Sequence, residues 1–415
     1  PVFAAGIVAD PAAAPGRRPD VTAAQNGVPL VNIVAPSASG LSHNQYSDFN
    51  VRREGAILNN SAAVSRTELG GVIAGNPHLA GHAPARTILN EVTGQNRSRI
   101  EGYVEVGGNR ADVILSNPNG VTINGGGFLN TDRALVTTGR PVVDGAGDLD
   151  RIEVREGTVR VEGKGINASN LTAFDVVSRA AEINADLYAA DLGIVTGENA
   201  YDPVARRATS LTDGSAPVPR VAIDSSALGG MYAGRITLIS TEKGVGVNLD
   251  GMVQARGGLT ITADGRLSVR DVRAGGDAFL SAADDVRVGE LAGADGSLTV
   301  AGRAVEARAA RLSAGGDMRI TADRGMNLGG AARAEAGGAL SVTAAEVRAD
   351  GGSRMTGHSL DVRADRVTLA DAATAEASDT AAVVSSILTV DTGAAVRADS
   401  LTLRTGELSV DDGEL

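Results

Sequence analysis

The chain contains no cysteine and no tryptophan, two lysines, four histidines and only 2% aromatic residues. Each shortage removes a class of protein. Without cysteine there is no disulfide framework and no thiolate metal site, and a chain threaded unfolded through a membrane would carry no covalent obstacle. No aromatic follows Phe279, so the last third must fill its interior with aliphatic side chains, which suits a narrow, even core better than a rounded enzyme domain. Lys164 and Lys243 apart, the basic residues are dispersed arginines, and the net charge is −12. With no basic stripe and no stacking platform, nucleic acid is not expected as a partner, and the acidity reads as solubility of a long surface. No apolar run approaches the roughly eighteen residues of a membrane span.

What is present in quantity is repetition. From Leu259 a phrase of small, Leu or Val, polar, Val or Ile, polar returns about every twenty residues, as in Leu259-Thr260-Ile261-Thr262, Ala339-Leu340-Ser341-Val342 and Ser359-Leu360-Asp361-Val362. Its alternation has the period of a half-buried strand. A unit near twenty residues is too short for a helical-repeat pair and fits one coil of a solenoid of short strands joined by Gly, Ala and Asp turns. The predicted fold is all-β, a right-handed parallel β-helix with an N-terminal cap and an extruded loop or hairpin. About twenty coils at roughly 4.8 Å each would make a rod on the order of 100 Å long.

Residues 1–25 are rich in Ala and Pro without a period and read as a leader or loosely attached cap. Residues 26–250 form an irregular, motif-rich domain, and 251–415 the start of a longer regular shaft. Within the first, Ala85 to Val92 reads as a short strand and turn, Val142 to Asn170 continues the coils at irregular length, and Asn199 to Pro219, with three prolines, is a loop or hairpin pushed out of one coil. Pro1 in place of Met suggests a fragment of a longer protein whose signal peptide has been removed.

Two Asn-Pro turns stand out: Asn76-Pro77-His78-Leu79 and Asn117-Pro118-Asn119-Gly120. Asn bonds the backbone two residues on, Pro presets φ, and Gly120 accepts a conformation costly for other residues. Their surroundings say more. Val31-Asn32-Ile33, Gly40-Leu41-Ser42-His43-Asn44, Leu58-Asn59-Asn60-Ser61, Ile88-Leu89-Asn90-Glu91-Val92, the run Ala111 to Val121, Thr137-Thr138-Gly139-Arg140-Pro141, Phe174 to Arg179 and Ala200-Tyr201-Asp202 follow one another in order. In these blocks the chain resembles the two-partner secretion, or haemagglutination-activity, domain of filamentous haemagglutinins and contact-dependent growth inhibition exoproteins. The shaft resembles filamentous haemagglutinin repeats. In that family the first turn usually reads Asn-Pro-Asn-Leu, so His78 is a departure.

The resemblance implies a secretion module. Such a module is recognised by the POTRA domains of an outer-membrane β-barrel transporter, exported unfolded through the periplasm and delivered to the surface of a Gram-negative cell. It also implies that the remainder of the protein, as a toxin carrier or adhesin, reaches a receptor on a target or host cell. The eight turn residues Asn76, Pro77, His78, Leu79, Asn117, Pro118, Asn119 and Gly120 are the secretion-motif candidates.

Catalysis is not expected, although β-helices include polysaccharide-acting enzymes. His43, His78, His82 and His358 lack partner motifs, and Pro77 and Pro84 argue against the helix that a zinc pair at His78 and His82 would need. Asp284-Asp285 and Asp411-Asp412 read as solvated turns, and no metal or cofactor is expected. Adhesion is the rival reading: the extruded loop or the strand faces would contact glycan or protein, against the shortage of aromatics for a carbohydrate platform.

Overall fold

The computed structural model describes residues 6–211 and 218–415, in two compact units that meet in sequence between Ala233 and Gly234. Both are built from parallel β-strands, and together they make about fifteen solenoid turns. The count falls below twenty because the first unit diverts chain into strands outside the coils.

In the second unit the repeat becomes register. Leu259 pairs with Ala278, Ala278 with Leu298, Leu298 with Met318, Met318 with Leu340, Leu340 with Leu360, Leu360 with Ala381, and Ala381 with Leu401. Each step is one coil of 19 to 22 residues. Two residues on, Ile261, Leu280, Val300, Ile320, Val342, Val362 and Val383 stack as a second buried column. A pleated strand sends alternate side chains to opposite faces, so this phrase puts its aliphatics inside and its Thr, Ser, Arg and Asp outside. Each fully buried Leu or Val contributes about 1.5–3 kcal/mol, available only when the neighbouring coil is in place. Coil ends stack as well: Gly315 donates to the Ala294 carbonyl, and a Cβ there would lie 2.1 Å from the Asp295 carbonyl oxygen. Glycine at that turn is a requirement of spacing between coils.

The first unit stacks Leu41–Phe49, Thr87–Val92, Ala111–Ser116, Thr131–Thr137, Ala173–Ser178 and Leu187–Thr196 in parallel. Two expectations need correction here. The segment before Gln25 holds two strands: Ile7–Ala9 pairs antiparallel with Leu41–Phe49, and Asp20–Ala23 pairs antiparallel with Pro29–Asn32. Antiparallel pairing covers strand edges that the solenoid would otherwise present.

The stretch Val142 to Asn170 does not simply continue the coils. Arg140–Val143 and Leu149–Val154 leave the solenoid as a hairpin and join Asn199–Asp202 and Arg207–Ser210 in a four-stranded antiparallel sheet. The hairpin forms because the Asp144 carboxylate accepts the Ala146 and Asp148 N–H groups, closing a tight turn. Ile152, Val154 and Tyr201 give this sheet its own buried layer. The expected extruded hairpin at Asn199 is present, with residues 212–217 of that stretch outside the described residues. Thr87–Val92 is a coil strand, in keeping with the strand and turn expected from Ala85 to Val92.

Candidate functional site

The two Asn-Pro turns are built alike from buried amides. Asn76 is 1% exposed; its Oδ1 accepts the His78 N–H at 2.9 Å, and its Nδ2 donates to the carbonyls of Ile33 at 2.8 Å and Asn59 at 2.9 Å. Pro77–Leu79 is one turn of 3-10 helix that drives Leu79 into the core. His78 keeps the turn because the bond uses its backbone N–H, and its ring meets the Asp20 carboxylate at 2.8 Å. At the second turn the fully buried Asn117 donates from Nδ2 to the Asn96 carbonyl and the Ser98 hydroxyl, each at 2.9 Å. Its Oδ1 accepts the backbone and side-chain N–H groups of Asn119, each at 3.0 Å. Exposed Asn119 donates onward to the Gly94 carbonyl at 2.8 Å. Gly120 has φ +105°, and a Cβ there would lie 2.7 Å from the Thr158 carbonyl oxygen.

Each amide therefore supplies donors where the chain leaves a strand and its carbonyls face no neighbouring strand. A buried carbonyl without a donor costs about 1–3 kcal/mol. Pro77 and Asn119 are the solvent-facing members, and Pro118 is buried.

Sequence reasoning assigned no role to four further buried asparagines that work the same way. Asn44 accepts the Val34 N–H, Asn59 donates to Asn32 and the Ala74 carbonyl, Asn60 both accepts from and donates to Ala85, and Asn90 accepts the Tyr46 hydroxyl. The signal was an Asn directly after aliphatics inside a strand pattern, as in Leu58-Asn59-Asn60 and Leu89-Asn90.

Three buried or half-buried charged clusters brace the same unit. His43 Nε2 and Glu91 Oε2 are 2.7 Å apart, with Gln45 donating to the same oxygen at 2.8 Å. Burial would raise the Glu91 carboxyl, but the hydrogen bonds from His43 and Gln45 and the nearby positive charge hold it below its ordinary value. A depressed folded-state value contributes stability that is full above the unfolded value of about 4.3 and is lost as pH falls through the folded one. Glu91→Gln is therefore expected to flatten the loss of stability below about pH 4.5, as read from urea midpoints between pH 3 and 6; parallel curves for parent and variant would contradict this.

Arg206, on the extruded hairpin, holds Asp175 at 2.6 Å and Asp191 at 3.1 Å. Burial pushes the Asp175 carboxyl up against the pull of Arg206, and the guanidinium itself is held charged. Arg179 and Glu198, 6% and 8% exposed, meet at 2.8 Å at the root of the hairpin.

Nothing in these pairs resembles a reacting site. His43, His78 and His358 each meet different partners, for the last Ser378 and Asp379 in the second unit. Asp284 and Asp285 face Arg303 and Arg266. Among the described residues no group of three or more His, Asp or Glu is placed to hold a metal ion, and no helix is long and apolar enough to cross a membrane.

The fold is a parallel solenoid capped by antiparallel strands, pinned by buried asparagine turns and carrying an extruded sheet. Residues 5–269 match the family described as TPS secretion domain, and residues 273–325 and 319–368 match the haemagglutinin repeat. The chain belongs to the two-partner secretion domain family.

It is 41% identical over 345 residues to the 16S rRNA endonuclease CdiA of Enterobacter cloacae subsp. cloacae, covering 83% of this chain and 10% of that protein. It is 47% identical over 254 residues to the tRNA nuclease CdiA of Escherichia coli strain NC101, covering 61% and 8%. The chain thus spans about a tenth of the length of the curated relatives it matches. The crystal structure of the filamentous hemagglutinin secretion domain superposes with a TM-score of 0.62 at 32% identity, over 78% of this chain and all of that one. Exoproteins of this type are secreted to the surface of Gram-negative cells, and the domain implies an outer-membrane partner transporter.

Proposed function

We propose that this chain is the part of a large exoprotein that the POTRA domains of its transporter recognise, that it crosses the outer membrane unfolded, and that it folds outside. Residues 26–250 are the recognised domain and 251–415 the first coils of the filament. The reading is carried by the match over residues 5–269 together with register that is local: in the second unit nearly every strand pairs one coil away. Each emerging coil then docks on the last, and the burial of its aliphatic column opposes backsliding. Extended segments of the unfolded domain add as strands to sheet edges of the transporter. The two Asn-Pro turns serve as the secretion motif. The complete protein is a toxin carrier rather than a filamentous adhesin, a reading supported by relatives named as nucleases and as a toxin.

The test is export. The chain with a signal peptide is expressed in cells with and without a cognate transporter, and the medium is assayed. Appearance only with the transporter is expected; retention in both strains, with the purified protein folded, would overturn the assignment. Unchanged export of Asn117 and Asn119 variants would remove the motif role and leave the turns as structural pins.

A further inference from the structure

Of five tyrosines, Tyr46 and Tyr201 are buried, whereas Tyr103, Tyr188 and Tyr232 lie on one outer face of the first unit. Register fixes their alignment. Tyr103 pairs with Gly127 on the next coil, and a Cβ at Gly127 would lie 3.0 Å from the Tyr103 ring and 2.6 Å from the Asn167 carbonyl oxygen. Asn167 pairs in turn with Tyr188, whose ring stacks on Tyr232 at a centroid distance of 5.2 Å and an angle of 17°. The face therefore reads Tyr103, Gly127, Asn167, Tyr188, Tyr232, one rung per roughly 4.8 Å.

Gly127 is buried, with the Tyr103 ring lying where its side chain would stand, and the next rung carries a short, exposed amide at Asn167. Asn167 Oδ1 accepts the Ser169 N–H at 3.1 Å and the Ser169 hydroxyl at 2.6 Å, which leaves its Nδ2 donor for another partner. The result is a short lane at the Asn167 rung, with the Tyr103 ring on one side and the Tyr188 ring on the other. Tyr232 covers one face of Tyr188, and Tyr103 and Tyr188 both remain 42% exposed. Beside the lane, the Asp186 carboxylate accepts the Tyr188 hydroxyl at 3.2 Å.

A flat aromatic face bordered by one donor and one carboxylate matches a sugar ring, whose C–H face is apolar and whose rim of hydroxyls both donates and accepts. Asp186 and a net charge of −12 disfavour acidic polysaccharides. We propose that the lane between Tyr103 and Tyr188 binds a neutral oligosaccharide, one pyranose ring packing on the open face of Tyr188 with its hydroxyls on Asn167 and Asp186. This binding is independent of the secretion reading.

The test is titration of the purified full chain with hexasaccharides of β-1,4-linked glucose, β-1,4-linked N-acetylglucosamine and α-1,4-linked glucose, with heparin as the acidic control. Calorimetry and tyrosine fluorescence, unmasked because the chain has no tryptophan, are the readouts. Saturable binding of a neutral oligosaccharide is expected, weakened at least tenfold by Tyr188→Ala and by Asn167→Lys and retained by Tyr188→Phe. Asn167→Lys obstructs the lane from an exposed position, so it reports even where Tyr188→Ala perturbs folding. Absence of neutral binding at millimolar ligand, a preference for heparin, or binding indifferent to Asn167→Lys would overturn the proposal and leave the tyrosines as packing.

Discussion

Asn117→Ala is expected to lower the stability of the first unit by about 3–5 kcal/mol, near the upper end of single-residue effects. The side chain is fully buried and all its hydrogen-bonding capacity is engaged: two donors on Asn96 and Ser98, and one oxygen receiving both N–H groups of Asn119. Alanine leaves the buried Ser98 hydroxyl and the half-buried turn without their partner and a void in place of the amide, and each unsatisfied buried group costs about 1–3 kcal/mol. Asn117→Asp should do no better, since it replaces the two donors by a carboxylate facing the Asn96 carbonyl oxygen. Asn119→Ala, at an exposed position, loses its bond to Gly94 and should cost about 1 kcal/mol. The urea midpoint followed by far-ultraviolet circular dichroism separates these. Asn117→Ala within 1 kcal/mol of Asn119→Ala would mean that water or a shifted backbone replaces the amide.

Arg179→Ala should cost about as much, roughly 3–5 kcal/mol, by leaving the Glu198 carboxylate buried opposite no charge. The Arg179 guanidinium also donates to the Arg155 carbonyl at 2.5 Å, so the residue ties the coil strand Ala173–Ser178 to both halves of the extruded sheet. Removing both charges in Arg179→Met with Glu198→Leu should recover most of the loss, because replacing a buried pair by apolar groups of similar volume is often neutral. A double-mutant cycle in urea checks this, with limited proteolysis near Pro203 to Arg206 reporting whether the hairpin opens. If Arg179→Ala costs less than 1 kcal/mol, Glu198 must reach solvent or protonate when its partner is lost.

These two residues mark where sequence reading succeeded and where it stopped. Asn117 was legible as a turn residue, because Asn-Pro-Asn-Gly is a turn wherever it falls and its bonds to Asn119 are local; its bonds to Asn96 and Ser98, on the preceding coil, were not. Arg179 stood within a recognisable block but had no assigned partner, since Glu198 lies nineteen residues on and only the departure of the hairpin brings them together. Ile152-Glu153-Val154 shows the same limit. Its alternation is that of a strand in either a coil or an antiparallel hairpin, and the pattern carries no information on which strand it will pair with. The tyrosine face escaped notice for a related reason: Tyr103, Tyr188 and Tyr232 are widely spaced in a sequence poor in aromatics and align only through register.

The sequence by itself determined the parallel solenoid, its coil length near twenty residues, the aliphatic interior of the second unit and the sites of the turns. All of these follow from the period of apolar residues and from local backbone preference. Only the tertiary structure decided that the first residues close the unit as antiparallel strands, that asparagines such as Asn44, Asn60, Asn76 and Asn117 lie buried with their amides on backbone groups, and that chain from two separate stretches forms one extruded sheet. Those outcomes depend on which unsatisfied backbone groups come to face one another after the coils have stacked.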